Sequence, residues 1–220
     1  NFVIQNGVMK SIFFPRKNNL KKKYGVKENE VLLFSPRAIT PLYNIDMILK
    51  SIHILSLKNY KIKCMLSFPF GGDYLKFLEN KINSLKISDK IIWLGYLNYN
   101  QMSNHYNAAD IVISVPSSDS SPKSVYEAMY CKKPVIVSDL EWTNEILGDK
   151  NCFVTVKDKD SEGLSNAIKK LIDNKYYCNE ISENGFRNVK KYFDYDQNMR
   201  KMEGIMINSC QNKGFSKSVD

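Results

Sequence analysis

Short apolar runs alternate with amphipathic helical patterns along most of this chain, and that alternation restricts the fold more than any other feature. The runs are five to seven residues long and end at polar or turn residues, which is typical of strands buried on both faces. Repeated strand–helix units of this kind predict a parallel sheet with helices on both faces. The runs are VLLFS (31–35), IKCMLSF (62–68), IIWLG (91–95), DIVISV (110–115), PVIVSD (134–139) and CFVTV (152–156).

Helical patterns between and after the runs complete this prediction. Apolar residues recur at helical spacing within 45–55, 74–85 and 161–173. Two further helical segments, roughly 177–192 and 195–209, follow the last apolar run. The predicted fold is therefore a Rossmann-like α/β domain: a doubly wound parallel sheet of about six strands, with a C-terminal helical tail.

The ends of the chain suggest how it is divided. Residues 1–30 precede the first strand pattern and are interpreted as an interdomain linker and basic lead-in, and residues 31–220 as the folded domain. The chain has no initiator Met and does not begin like a signal peptide, so we expect a piece of a longer protein. No run approaches the roughly 18 apolar residues of a membrane span. Five scattered cysteines without a CxxC pair indicate reduced thiols in a cytoplasmic protein.

A formal net charge of +9 raises the question of a polyanionic partner. Much of the excess lies within Lys10–Lys27, which is interpreted either as a solvated face or as a patch for a polyanion or an anionic membrane surface. Nucleic-acid binding would favour aromatic residues interleaved with the basic ones. Only Phe13, Phe14 and Tyr24 fit that pattern, and packing explains Phe13 and Phe14 equally well.

The sequence lacks the motifs of several common enzyme classes. The loop after the first strand reads SPRAITPLYN rather than GxGxxG, and Gly71–Gly72 is not followed by the Lys and hydroxyl residue of a phosphate-binding loop. There is no GxSxG nucleophile motif. The two histidines, His53 and His105, are expected to be packing or surface residues, so the sequence predicts no metal site and no Ser–His–Asp triad.

The segment 116–139, a polar loop followed by KSVYEAMYCKKPVIVSD, carries the strongest functional signal. Pro122 suits the first helical position and Ser121 its N-cap, with the helix continuing over Lys123–Tyr130. Unpaired N–H groups at the start of that helix would face the carboxyl edge of the sheet, where ligands of such folds bind. This helix start is either a phosphate site or an ordinary capped terminus.

Three charged residues are candidates for that edge. Arg37 follows the first strand, where it would either bind a phosphate in bidentate fashion or pair with Asp46 or another loop acid. Asp119 could hold sugar hydroxyls. Glu127, eight residues later, could accept hydrogen bonds from a ribose diol, or could be a solvated helix acid.

The stretch from Asp119 to Asp139 resembles the donor-binding signature of retaining glycosyltransferases of the GT-B fold, family 4. In that signature an acid is followed, after seven residues, by Glu and then by A-M-x-x-G-x-P-V-I. IQNGV (4–8) resembles the end of the interdomain linker of these enzymes, IIWLGYL the strand before the base-contacting loop, and AADIVISVPS the following strand. The resemblance covers residues 1 to about 205. It is to the C-terminal half of such an enzyme, which implies that the acceptor-binding N-terminal domain is missing here.

The resemblance implies roles for individual residues. Arg37 would neutralise the donor diphosphate, Asp119 would contact the transferring sugar, and Glu127 would bind the ribose hydroxyls. The donor would be a nucleotide sugar such as a UDP- or GDP-sugar, bound without a metal or any other cofactor. Further contacts to the phosphates and, through the main chain, to the base would come from Ser120, Ser121, Lys123 and Tyr96.

The chain departs from the family pattern in three places. The first acid is Asp119 rather than Glu. The family's Lys, about five residues after the Arg, is missing, and Leu42–Tyr43–Asn44 occupies that region. Lys132 stands where a Gly usually follows the motif helix, and Lys123 is the candidate to replace the lost positive charge.

We therefore interpret the chain as the donor-binding domain of a retaining glycosyltransferase of polysaccharide biosynthesis. It would act in the cytoplasm, with peripheral contact to the inner membrane surface, on a glycan or lipid-linked acceptor held by the missing domain. Alone it should bind donor and transfer poorly, and nucleic acid is not an expected partner. Two alternatives stay open: a catalytically inactive nucleotide-sugar-binding module or partner subunit of the same fold, and a polyanion or membrane-surface binder using Lys10–Lys27.

Overall fold

Each predicted apolar run forms a strand, and the six strands pair in parallel into one sheet. The fold is seen in a computed structural model, which describes residues 4, 7–67, 72–145 and 151–212. The predicted sheet is thereby confirmed. The strands are β1 (Val31–Ser35), β2 (Ile62–Ser67), β3 (Ile91–Gly95), β4 (Ile111–Ser114), β5 (Val135–Ser138) and β6 (Val154–Val156).

Helices connect and cover the strands, as the predicted βαβ units require. The two long C-terminal helices confirm the helical tail. The two short helices over 20–23 and 141–145 were not predicted from the sequence, because neither is long enough to show a helical period. The helices are α1 (Leu20–Lys23), α2 (Ile45–Leu57), α3 (Asp73–Ser84), α4 (Tyr99–Ala108), α5 (Lys123–Tyr130), α6 (Glu141–Glu145), α7 (Ser161–Asp173), α8 (Lys175–Tyr192) and α9 (Tyr195–Asn212).

The strand order β3-β2-β1-β4-β5-β6 makes the sheet doubly wound. The chain leaves β1 towards β2 on one side and returns to β4 on the other, so the order reverses between β1 and β4. Alternate side chains of β1 enter different cores. Leu32 and Phe34 pack with α4 and α5, whereas Leu33 packs with α2. The reversal opens a crevice at the carboxyl ends of β1 and β4, which is where such sheets bind ligands.

Several element ends differ from the sequence prediction. The helix after 116–122 starts at Lys123, and its N-cap is Pro122, whose carbonyl accepts the N–H groups of Val125 and Tyr126. The prediction of Ser121 as N-cap is therefore wrong by one residue, because Pro122 is extended (ψ 95°) and helical dihedrals begin only after it. The strand predicted to reach Phe68 ends at Ser67, and Phe68 lies outside the described residues.

Side chains cap the starts of two helices, and α8 thereby begins two residues earlier than predicted. Asn98 and Gln101 form a reciprocal capping box that starts α4 at Tyr99. Asn174 accepts the N–H of Tyr177 and starts α8 at Lys175. These caps satisfy backbone donors that the helix itself leaves unpaired.

Lys132, which stands where the family usually has Gly, occupies a left-handed backbone position (φ 58°) just after α5. The N–H of Lys132 donates to the Met129 carbonyl and that of Lys133 to the Ala128 carbonyl, as in a Schellman turn. Lys132 also pairs with Glu183 of α8. The turn is thus kept in the conformation for which Gly is favoured.

The segment before β1 packs on the domain. Val8 bridges to Asp194 at the α8–α9 junction, and a Cβ on Gly7 would come within 2.1 Å of the Tyr195 Cα, so only Gly fits there. Phe13 is buried against α4, whereas Phe14 is 40% exposed. The division at residue 30 stays a prediction, and residues 5 and 6 of the linker-like IQNGV lie outside the described residues.

Candidate functional site

The loops after β1 and β4 meet at the carboxyl edge of the sheet through Arg37. Its Nη2 lies 2.7 Å from Oδ2 of Asp119, and its Nη1 donates to the Ser124 Oγ at 2.9 Å. The two charged side chains are only 12% and 16% exposed. Because Ser124 lies in the first turn of α5, this pairing brings a nearly buried guanidinium to the N-terminus of that helix.

Tyr43 fixes the guanidinium from a third direction. The Arg37 Cζ lies 4.2 Å from the centroid of the Tyr43 ring, a cation–π contact. Asp46, one of the ion-pair partners considered for Arg37, instead lies 3.6 Å from both Lys50 and Lys81. The loop acid that pairs with Arg37 is Asp119.

The Asp119 carboxylate holds two donors at once. Its Oδ2 faces Arg37, and its Oδ1 accepts the backbone N–H of Ser120 at 2.9 Å. These are two of the groups that the resemblance assigns to the donor phosphates. In this structure a carboxylate therefore stands between the donors of the expected anion site.

Glu127 lies one turn into α5, where Tyr106 of α4 donates its hydroxyl to Oε2 at 3.1 Å. Burial raises the pKa of Glu127 to about 7, while the Tyr106 hydrogen bond and the positive charge of Lys123 oppose that rise. A carboxylate held like this is not the solvated helix acid of the alternative interpretation. Sequence reasoning missed Tyr106, because its contact with Glu127 joins two helices that are separate in sequence.

Lys123 is exposed at the start of α5. It lies four residues before Glu127, so both side chains share a face of the helix, consistent with its electrostatic effect on Glu127. Ser121 is half-buried in the loop just before Pro122. The predicted anion-binding segment is thus a loop and helix start with a lysine on the Glu127 side.

Tyr96 is 73% exposed and follows β3. It lines a shallow cleft of about 210 Å³ that begins beside Arg37. Tyr96 thus shares this cleft with residues of the β1 loop, whereas the Arg37 cluster is formed by Asp119, Ser124 and Tyr43. The other lining residues are Pro36, Ala38, Ser67, Gly95, Leu97 and Met102.

A second cleft of about 370 Å³ opens on the other side of the β1 loop. Leu42 and Asn44 form one wall, and Ser117 and Lys159 come from the loops after β4 and β6. Tyr74 and Phe77 of α3 stack on each other at 5.6 Å and add an aromatic wall. The carboxyl edge is therefore open on both sides of Arg37.

The two histidines have structural partners, as predicted. His105 is buried between the Gln101 carbonyl and the Tyr24 hydroxyl, and the His53 ring contacts the Leu85 carbonyl at 3.0 Å. Over 7–67, 72–145 and 151–212, no three His, Cys, Asp or Glu side chains converge as metal ligands would.

Three basic residues of Lys10–Lys27 have side-chain partners. Lys21 pairs with Asp110 at 2.6 Å, and Lys10 pairs with Asp194 at 3.0 Å. Arg16 lies over the exposed Phe14 ring, 5.0 Å from its centroid. The described helices include none with the length and apolarity needed to cross a bilayer.

The sequence profile described as glycosyl transferases group 1 matches residues 16–188. The O-antigen chain mannosyltransferase RfbU of Salmonella typhimurium is 29% identical over 203 residues, covering 92% of this chain and 51% of that protein. The chain spans between 29% and 51% of the length of the curated relatives it matches.

Solved structures share the fold. Anabaena Alr3699/HepE in complex with UDP and glucose superposes with a TM-score of 0.84 at 19% identity, covering 94% of this chain and 57% of that one. The C-terminal domain of LpcC, a glycosyl transferase group 1 family protein from Francisella tularensis, superposes with a TM-score of 0.73 at 22% identity. That superposition covers 86% of this chain and 99% of the LpcC domain.

Proposed function

This chain belongs to the glycosyl transferases group 1 family, and on that premise we propose that it binds the nucleotide-sugar donor of a retaining, metal-independent glycosyl transfer. It would supply the donor-binding half of the enzyme. The acceptor, which would be a glycan or lipid-linked, would be held by a further domain. The names of relatives that build an O-antigen chain or glucosylate a diacylglycerol support this class of acceptor.

The observation that carries the proposal is the hydrogen bond from Arg37 to Ser124. It joins a nearly buried guanidinium to the first turn of α5, whose backbone N–H groups and dipole also favour an anion. A diphosphate is the anion that suits this combination, because its oxygens can accept a bidentate Arg and several N–H groups together.

Donor binding would displace Asp119. The diphosphate would take the Arg37 guanidinium and the Ser120 N–H, both of which the Asp119 carboxylate now holds. Released from these donors, Asp119 would turn towards the hydroxyls of the transferring sugar. The shorter side chain, compared with the Glu of the family pattern, would keep Asp119 close to its own loop.

Glu127 would accept hydrogen bonds from the ribose hydroxyls, while its Oε2 also accepts the hydrogen bond from the Tyr106 hydroxyl. The cleft beside Tyr96 would take the base, since it is partly apolar and is lined by Pro36 and Ala38 of the β1 loop. Lys123 would add positive charge beside the phosphates. This arrangement orders base, ribose, diphosphate and sugar along the carboxyl edge from β3 to β4.

In the proposed reaction the bond from the sugar's anomeric carbon to the diphosphate oxygen breaks, and a bond to the acceptor oxygen forms on the same face. The acceptor proton leaves with the diphosphate. Negative charge gathers on the diphosphate as the sugar becomes oxocarbenium-like, so Arg37, Lys123 and the α5 amides would stabilise the transition state. One well-placed donor of this kind is worth about 3–4 kcal/mol.

The inactive binding module has one observation in its favour. The stretch where the family Lys is expected contains no cation. It holds Leu42, which is 44% exposed, and Tyr43, whose ring covers Arg37. A protein of this kind would bind donor without transferring sugar. Activity of the full-length protein towards an acceptor separates the two functions.

The proposal is tested by thermal unfolding with UDP, GDP, ADP and their common sugar conjugates, on wild type and Glu127→Ala. A ligand at about 100 times its Kd adds about 2.7 kcal/mol, which raises the Tm of a domain this size by several degrees. One base class should stabilise wild type, and Glu127→Ala should lose most of the shift. Absence of any nucleotide effect, with stabilisation by heparin or anionic lipid only at low salt, would contradict the proposal and favour the basic segment.

A further inference from the structure

Asn44 has a side chain suited to helix capping, yet that side chain does not cap its own helix. It is the N-cap residue of α2, but its backbone is left-handed (φ 50°, ψ 39°) rather than extended, and its side chain makes no capping bond to α2. The residue is only 3% exposed. A buried amide is costly unless it is hydrogen-bonded, so its partners indicate its role.

Those partners lie in two other loops. The Asn44 Nδ2 donates to the Val115 carbonyl at 2.9 Å, just after β4. It also lies 2.8 Å from Oδ1 of Asp158, just after β6, and 3.1 Å from the Ser117 Oγ. One side chain thus connects the loops that follow β1, β4 and β6.

Ser117 strengthens the same junction. Its backbone N–H donates to the Leu42 carbonyl at 2.9 Å, and its hydroxyl donates to Oδ1 of Asp158 at 2.8 Å. The β1 and β4 loops are therefore joined by a side-chain bond and a backbone bond within three residues of each other. This junction lies on the far side of Arg37 from the Tyr96 cleft.

The joined loops are the ones that carry Arg37 and Asp119. From these contacts we infer that Asn44 is a positioning residue for the proposed donor site: it sets the separation of the β1 and β4 loops and hence of the Arg37 guanidinium from the start of α5. The inference rests on the proposed function. Asn44 itself need not touch the nucleotide.

The direct test is Asn44→Gly in the whole chain. Glycine tolerates the left-handed backbone, so this change removes the amide without adding backbone strain. Asn59→Gly is the matched control, since Asn59 is also left-handed (φ 63°) but is exposed and follows the opposite end of α2. The two variants lose the same side chain from the same backbone conformation.

The readout is the Kd, by calorimetry, of whichever of UDP, GDP and ADP binds wild type most tightly, measured well below the Tm of every variant. Asn44→Gly is expected to weaken binding about tenfold, or about 1.4 kcal/mol, and Asn59→Gly to leave it within about twofold. Urea unfolding of the same samples reports stability separately. A purely structural role would lower stability and leave the Kd of the folded fraction unchanged.

Equal affinities of wild type and Asn44→Gly would overturn the inference. If wild type binds none of the three nucleotides, the proposed function itself fails, which is a different result. Should Asn44→Gly not fold, Ser117→Ala takes its place, because it removes one hydroxyl of the junction from a half-exposed loop. That variant should weaken binding by about threefold, and unchanged binding would count against the junction.

Discussion

Asp110 and Asp119 stand at opposite ends of β4, and each forms an ion pair with a basic residue distant in sequence. At the amino end, Asp110 accepts the backbone N–H of Leu32 in β1 and pairs with Lys21. At the carboxyl end, Asp119 accepts the N–H of Ser120 and pairs with Arg37. The two carboxylates therefore have similar bonding and differ in where their donors lie.

The difference concerns whether the donors can change partner. The Leu32 N–H belongs to a central strand, and an acceptor other than Asp110 could reach it only by disturbing the sheet. Arg37 and Ser120 belong to loops beside open clefts, so on the proposed function an incoming anion would replace the carboxylate. We therefore expect the same kind of ion pair to be structural at one edge of the sheet and exchangeable at the other.

The strongest test of this contrast is Arg37→Ala against Lys21→Ala. Loss of the bidentate guanidinium should weaken nucleoside-diphosphate binding about 100-fold, or about 2.8 kcal/mol. Lys21→Ala removes an equal charge at the other edge and should leave the Kd within about twofold. Calorimetry at constant ionic strength measures both, and similar losses for the two variants would show that net charge, not the carboxyl edge, attracts the nucleotide.

Asp110→Ala tests the structural end of β4. It leaves the Leu32 N–H and Lys21 without their acceptor, so the free energy of unfolding should fall by about 2 kcal/mol. Nucleotide affinity, measured below the Tm, should be unchanged. Urea denaturation measures the free energy of unfolding. A loss of binding free energy larger than the loss of unfolding free energy would remove the distinction between the two edges.

The raised pKa of Glu127 predicts that nucleotide affinity at the carboxyl edge depends on pH. If the ribose requires the carboxylate, the competent fraction falls as pH drops below the pKa of about 7. Calorimetric titrations are expected to show about tenfold tighter binding at about pH 8 than at about pH 6. Glu127→Gln is the control, because the nucleotide phosphates titrate equally in both proteins, and an equal pH dependence would exclude Glu127 as its source.

The same group also affects the stability of the unliganded domain. Its native pKa is raised, so between about pH 4.5 and about pH 7 the native state keeps a proton that the unfolded state has lost. Stability should therefore fall as pH rises through this window. Urea unfolding across the window should show a shallower fall for Glu127→Gln than for wild type.

Asp119→Asn should produce the smallest change and one of opposite sign. An amide cannot compete as a carboxylate does for Arg37, so UDP or another sugar-free nucleoside diphosphate should bind about fivefold more tightly. Transfer by the full-length protein should fall, since the sugar contact is altered. Weaker diphosphate binding by Asp119→Asn would mean that Asp119 supports the phosphate site rather than occupying it.

The sequence predicts the fold well because most of the strands are apolar on both faces, and four of the six end at a serine: β1, β2, β4 and β5. Pattern alone located β1 and β3 to the residue, and it located α2 and α7 because their apolar stripes are regular. It placed the start of α5 one residue early, since Pro122 suits the first helical position by composition but is extended in the folded chain. Short-range patterns report periodicity, not the dihedral angle of a single residue.

The site was predictable only where a residue could be matched to a motif. Arg37, Asp119 and Glu127 follow from their positions after strands and in the signature, but their partners do not. The hydrogen bond of Tyr106 to Glu127 joins residues 21 positions apart in sequence, and that of Asn44 to Asp158 joins residues 114 positions apart. Such pairs are fixed by how helices and loops meet over the sheet, which one sequence does not contain.

Hydrogen–deuterium exchange of wild type, with and without saturating nucleoside diphosphate, tests the central claim most directly. It compares the carboxyl-edge loops with the basic segment in one experiment, without any substitution. Exchange should slow in the loops that follow β1, β3 and β4, over 36–44, 95–98 and 117–127, and stay unchanged over 10–30. Protection confined to 10–30, with the carboxyl-edge loops unaffected, would contradict the assignment of the donor site to the carboxyl edge.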